Sequence, residues 1–133
     1  MTNDKTVMVV DDSSTIRKIL ERELTQAGYK VFLAESGMEA LVFLEWTDKL
    51  PDLITLDIDM PNMNGFEVCT RIREQAGENS ARKPQIAEIP ILFVSADDTL
   101  ENRERGYQLG IIEFISKPFA QGDIVRAINN ILQ

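Results

Sequence analysis

The chain has a single cysteine, Cys69, so no disulfide can form within it. A lone thiol among apolar neighbours behaves as a small core hydrophobe. Long hydrophobic runs are also missing: none approaches the ~20 residues needed to cross a bilayer. The opening Met1-Thr2-Asn3-Asp4-Lys5 lacks the basic segment and apolar stretch of a signal peptide, which gives the expectation of a cytoplasmic protein. Basic charge is scarce, with 14 Lys and Arg against 22 Asp and Glu and a net charge of -8. That field repels nucleic acid and anionic membrane, and favours cations or basic protein partners. What is present suits one domain over residues 1–133, because 44% of the residues are hydrophobic, too many for wholesale disorder.

Strand and helix patterns alternate along the whole chain. Thr6–Val10 reads as a strand, followed by Ile16, Ile19, Leu20, Leu24 and Ala27 at helical spacing, with Gly28 as the stop. Tyr29–Ala34 reads as a second strand, and Ser36-Gly37-Met38-Glu39 as a capping box opening the next helix. Pro51–Leu56 is nearly all apolar, as a central strand buried on both faces should be. Gly65 opens a third helix, Ile89–Val94 is a fourth strand, and Asp97 or Asp98 caps a helix reaching Leu109. Ile111–Ser116 and Gln121–Leu132 complete the set. Five βα units predict an α/β fold, a doubly wound five-stranded parallel sheet with five helices on both faces. Ala76–Glu88 is long and polar for a connection in a compact domain; it reads as a surface excursion or, alternatively, a binding element.

Four signals fall where strands end: Asp11-Asp12, Asp57, Ser95 and Lys117-Pro118. Singly each is weak, since an acidic pair before a helix is commonly a cap and a serine or lysine after a strand commonly a loop residue. Open parallel sheets bind ligands at the carboxyl ends of their strands, so the four would meet at one rim. Carboxylates ~5 Å apart repel by about 3 kcal/mol per pair at an effective dielectric near 20. Three of them call for a counter-charge, supplied by magnesium, a hard cation that prefers oxygen, and by Lys117. Metal and ammonium together neutralise phosphoryl oxygens, the main task in phosphoryl transfer, and a carboxylate can be the nucleophile. Asp57, at the middle of the rim, is the candidate, with Ser95 placed to hydrogen-bond the incoming group.

These segments carry a family resemblance. Val-Val-Asp11-Asp12-Ser, Leu-Asp57-Ile-Asp59-Met-Pro61-Asn-Met-Asn-Gly65, Val-Ser95-Ala96 and Phe114-Ile-Ser-Lys117-Pro118-Phe resemble, in order and placement, the receiver domain of bacterial two-component response regulators. The resemblance implies a flavodoxin-like, CheY-like topology, and a phosphoryl group accepted on Asp57 from a histidine kinase or phosphotransfer protein. It implies Mg2+ (or Mn2+) held by Asp11, Asp12, Asp57 and the backbone carbonyl of Asp59, with Ser95 and Lys117 gripping phosphoryl oxygens. Ser95 and Phe114 would form the switch, read out through the fourth helix, fifth strand and fifth helix. The partner would be a downstream protein or a fused output domain, with a phosphorylation-dependent homodimer as a further option. Such a domain promotes its own phosphorylation and dephosphorylation without being a conventional turnover enzyme.

The chain departs from the commonest receiver pattern in places. Phe114 lacks the hydroxyl of the frequent tyrosine, Leu109-Gly110-Ile111-Ile112 replaces a smaller Gly-Ala pair, and the segment at 76–88 is an insertion. Asp59 and Asp97 each lie two residues beyond a site residue, and are candidates for tuning phosphoryl lifetime at the pocket mouth. Two other functions compete. Asp57-Ile58-Asp59 resembles the Asp-x-Asp of haloacid-dehalogenase-like phosphatases, but that motif normally sits on a chain's first strand. A phosphorylation-independent binding module with the same fold usually shows loss of an acidic residue or the lysine, and all remain here. No output domain is expected within these residues.

Overall fold

The computed structural model describes residues 4–74 and 84–133. Five strands, β1 (Thr6–Val10), β2 (Lys30–Ala34), β3 (Leu53–Leu56), β4 (Ile91–Ser95) and β5 (Glu113–Ser116), alternate with α1 (Ser14–Gln26), α2 (Gly37–Trp46), α3 (Gly65–Glu74), α4 (Leu100–Gln108) and α5 (Asp123–Leu132). All strand pairs are parallel and the sheet order is β2-β1-β3-β4-β5. Successive side chains on a strand point to opposite faces, and here both faces are apolar. Met8, Val10, Ile54, Leu56, Ile91 and Phe93 pack with Ala40 and Leu44 of α2 and Phe66, Cys69 and Ile72 of α3. Val7, Val9, Leu53, Leu92 and Val94 pack with Leu20 and Leu24 of α1 and Ile124 and Ile128 of α5. The continuous apolar runs of β1, β3 and β4 thus follow from a sheet covered on both sides. Cys69 sits in that core as a buried free thiol, its pKa raised by burial.

Helix starts follow local chemistry. Ser13 caps α1 by accepting from the Ile16 amide, and Ser36 caps α2 by accepting from Glu39 at 3.1 Å, as the capping-box pattern predicts. The helix after Ser95 starts later than expected: its cap is Thr99, which accepts from the Asn102 amide, rather than Asp97 or Asp98. Gly110 (φ 87°) ends α4, and the Ile111 amide turns back to the Gly106 carbonyl, so β5 begins at Glu113 instead of Ile111. The bulky Ile111 is accommodated because Gly106 has no side chain: a Cβ there would lie 2.7 Å from Ile111 Cδ1. The last helix begins two residues later than its pattern suggested, behind Gly122 in the left-handed region.

The expected polar excursion at 76–88 is corrected in part. Residues 76–83 lie outside the described residues, but Pro84–Glu88 forms a short 3-10 helix docked on the domain. Ile86 and Ile89 are buried, and the Arg73 guanidinium donates to the carbonyls of Ala87 and Ile89 (both 2.8 Å), Leu109 (3.3 Å) and Gly110 (2.9 Å). One arginine therefore ties α3, this turn and the end of α4 together.

Candidate phosphoacceptor site

The carboxyl ends of β1, β3 and β5 deliver the charged groups to one crevice. Asp11 follows β1, fixed by its backbone N–H donating to the Ala34 carbonyl (3.1 Å) and by Arg17 donating to its carbonyl oxygen (2.7 Å). Since Ser13 is the helix cap, capping does not account for Asp11 and Asp12. Asp11 is 2% exposed; one carboxyl oxygen accepts from the Ser13 amide (2.9 Å) and the other from Lys117 Nζ (2.8 Å). Asp57 follows β3, held by its amide to the Val10 carbonyl (3.0 Å), and is 5% exposed. Lys117 Nζ reaches its carboxylate as well, at 3.3 Å. The lysine is positioned by its own amide on the Ser95 carbonyl (3.0 Å) and precedes a cis Lys117–Pro118 peptide.

Asp12, exposed at the same rim, completes an acidic trio: one oxygen each of Asp11, Asp12 and Asp57 lies within 4.8 Å of the others. Three carboxylates and one ammonium leave two net negative charges in the crevice. Burial and these charges together shift the pKa values. Burial and then the Asp11 charge push Asp57 up, against Lys117 and a hydrogen bond from Ser95. Burial would lower the Lys117 ammonium, but hydrogen bonding and charge from Asp11 and Asp57 outweigh it and the net shift is upward. A compact, all-oxygen donor set with surplus negative charge is compatible with a divalent cation.

Ser95 is fully buried at the end of β4, its hydroxyl accepting from the Asp97 amide (3.1 Å). Asp59 and Asp97 meet at the mouth: burial, then the charge and hydrogen bond of Asp97, raise the Asp59 carboxyl. Phe114 stands apart from the crevice, buried edge-on against Phe93 with ring centroids 6.0 Å apart. The Arg103 guanidinium of α4 lies over the Phe114 ring, 4.8 Å from its centroid, and donates to the Ser116 hydroxyl and the Asp98 carbonyl.

Two supports escaped the sequence reading, and a third, Gly65, was read there only as a helix start and a loop residue. Asn64 and Glu67 exchange hydrogen bonds at the start of α3 (2.9 and 3.1 Å), and the Asn-x-x-Glu spacing advertised this reciprocal cap. Gly65 must be glycine for contact reasons, because a Cβ would lie 2.3 Å from the Asp57 carbonyl oxygen and 2.8 Å from Ile58 Cα. Arg103 had no such signal, being one more charge on a polar helix.

The family model for the response regulator receiver domain matches residues 7–129. The protein called "Probable transcriptional regulator ycf27" from Cyanophora paradoxa is 33% identical over 131 residues, covering 98% of this chain and 49% of that protein. Response regulator MprA of Mycobacterium sp. (strain KMS) is 32% identical over 127 residues, 96% of this chain and 50% of its own length. The chain thus spans about half the length of these relatives. Among solved structures, chemotaxis protein CheY4 of Vibrio cholerae superposes with a TM-score of 0.84 at 30% identity, covering 98% of this chain and 100% of that one. Receiver domains are signalling modules of two-component systems rather than conventional enzymes, and this chain belongs to the response regulator receiver domain family.

Proposed function

We propose that Asp57 is the phosphoacceptor of a two-component or phosphorelay pathway, taking its phosphoryl group from a histidine kinase or phosphotransfer protein. The observation that carries this reading is Lys117 bridging two buried carboxylates, Asp11 at 2.8 Å and Asp57 at 3.3 Å, beside a third at Asp12. In the transfer, an Asp57 carboxylate oxygen attacks phosphorus, the P–N bond of the donor phosphohistidine breaks, and its electron pair leaves with the imidazole nitrogen. Asp57 acts as the ionised carboxylate, so acid conditions slow the step. Lys117 stays protonated and offers its charge to the phosphoryl oxygens, and Ser95 offers its hydroxyl. The residues to hold Mg2+, with Mn2+ as a substitute, are Asp11, Asp12, Asp57 and the Asp59 backbone carbonyl. When bound, the ion supplies the positive charge that offsets the phosphoryl oxygens.

The new group draws Lys117 and Ser95 toward itself. Ser95 pairs with Ser116 in the β4–β5 register, and Phe93 with Phe114. Movement at Ser95 therefore reaches Phe114 and the Arg103 clamp, resetting the α4–β5–α5 face for a downstream protein, a fused output domain or a second phosphorylated copy. Asp59 and Asp97 at the mouth set how quickly water removes the phosphoryl group. A cytoplasmic setting fits a kinase partner. The test is incubation with a small-molecule phosphodonor and magnesium, followed by intact-mass measurement. One added phosphoryl group, absent in Asp57→Asn and without divalent cation, supports the proposal; none, or repeated turnover of a phosphomonoester, overturns it.

A further inference from the structure

The other edge of the sheet carries a surface the phosphoryl chemistry does not use. Helix α2 is apolar almost all round, an arrangement expected of a helix covered on every side. Its inward face, Gly37, Ala40 and Leu44, is buried in the core. Met38, Val42 and Trp46 follow one another at four-residue spacing and are 56%, 47% and 67% exposed. Side chains four apart stack on one helix face, so these three form a stripe pointing away from the sheet. At about 100° per residue, Glu39 and Glu45 fall roughly 60° to either side of Val42. Both are exposed, and they are the only charged residues of the helix. Neighbouring Phe32, on edge strand β2, is 39% exposed and packs against Phe43 (centroids 4.6 Å), extending the apolar surface toward the sheet edge.

We infer that this acid-flanked stripe docks an amphipathic helix of another protein, one whose apolar face is bordered by lysine or arginine. The spacing suits ridge-into-groove packing of a second helix, and the two rim carboxylates select the sign of its flanks. A second copy of this chain is the wrong occupant. It would bring Glu39 and Glu45 against identical carboxylates, between two molecules that each carry a net charge of -8. The surface lies on the β2 side of the sheet, opposite the β5 edge, so the inference does not depend on the phosphoacceptor proposal.

Trp46 is the only tryptophan in the chain and sits within the stripe, so its emission reports occupancy directly. The probe is a synthetic helical peptide with leucines on one face and flanking lysines. Two control peptides replace the lysines by glutamate, or the leucines by serine. The expected result is a saturable blue shift with the lysine–leucine peptide alone. Val42→Asp, or Glu39→Lys combined with Glu45→Lys, should weaken it about tenfold, as hot-spot truncation and charge reversal typically do. The charge-reversed protein should instead bind the glutamate–leucine peptide. Circular dichroism and thermal unfolding of each variant check that the fold is intact, and Val42→Asn serves if Val42→Asp unfolds. Equal response to the lysine–serine peptide overturns the inference, as does binding insensitive to Val42. A blue shift that tracks protein concentration with dimer formation assigns the stripe to a second copy and also overturns it.

Discussion

Replacing Asp57 with asparagine should stabilise the protein in the absence of divalent cations, although it removes a buried hydrogen-bonded charge. At an effective dielectric near 20, the 3.3 Å contact with Lys117 is worth about 5 kcal/mol of attraction. Repulsion from Asp11 and from Asp12, each at 4.8 Å or less, is about 3.5 kcal/mol per pair. Repulsion exceeds attraction by roughly 2 kcal/mol, before the cost of burying the charge is added. The upward pKa of Asp57 has the same sign. A carboxyl raised on folding lends its full stability below the ordinary aspartate pKa and loses it as pH climbs through the raised value. The variant's advantage should therefore be present at neutral pH and shrink as the solution is acidified. Allowing for relaxation of the rim, the expected gain in chelator is about 1–2 kcal/mol, roughly 4–7 °C in Tm for a domain this size. Magnesium should close the gap, because ten times Kd adds about 1.4 kcal/mol to a protein that binds it, and the variant has lost one carboxylate. The assay is thermal and urea unfolding of both proteins, with chelator and with magnesium, across acid and neutral pH. A less stable variant in chelator, or equal magnesium stabilisation of both, would refute the charge accounting.

Other perturbations probe other parts. Lys117→Ala strands Asp11 and Asp57 without their shared cation, and should cost about 3–5 kcal/mol in chelator at neutral pH; the loss should ease on acidification, when Asp57 takes up a proton, and unfolding at several pH values checks both. Arg103→Leu removes the cation over Phe114 and the bond to Ser116, for a loss of about 1–2 kcal/mol. NMR of labelled Phe114 should show a freer ring before phosphorylation; an unchanged ring means the clamp does not restrain it. Arg73→Ala forfeits four carbonyl bonds, and should cost about 2–4 kcal/mol. Hydrogen exchange should accelerate selectively around Ile86–Ile91. Asp59→Asn and Asp97→Asn should change the rate at which the phosphoryl label is lost, and unchanged lifetimes would mean the pair is only solvated loop.

The sequence made the sheet legible because buried parallel strands are written as apolar runs: Val7–Val10, Leu53–Leu56 and Ile91–Val94 needed no tertiary information. The rim was legible for a related reason, since strand ends are where such a sheet exposes chemistry, and the charged residues fall there. Helix starts were less so. Thr99 outcompeted Asp97 and Asp98 for the cap on α4, while the amide of Asp97 closes a local turn on the Ser95 hydroxyl. The polar look of residues 84–88 misled because Arg73, distant in sequence, satisfies the carbonyls there and lets Ile86 and Ile89 turn inward. Arg103 was invisible for the same reason: its importance comes from a ring on another element.

Locating the phosphoryl group itself tests the role of Asp57 without intermediaries. After treatment with phosphodonor and magnesium, borohydride reduction converts an aspartyl-phosphate to homoserine, and peptide mass spectrometry finds the residue changed. Homoserine is expected at position 57 alone, and only when divalent cation was present. Homoserine at Asp11, Asp12 or Asp59, or none at all, would contradict it.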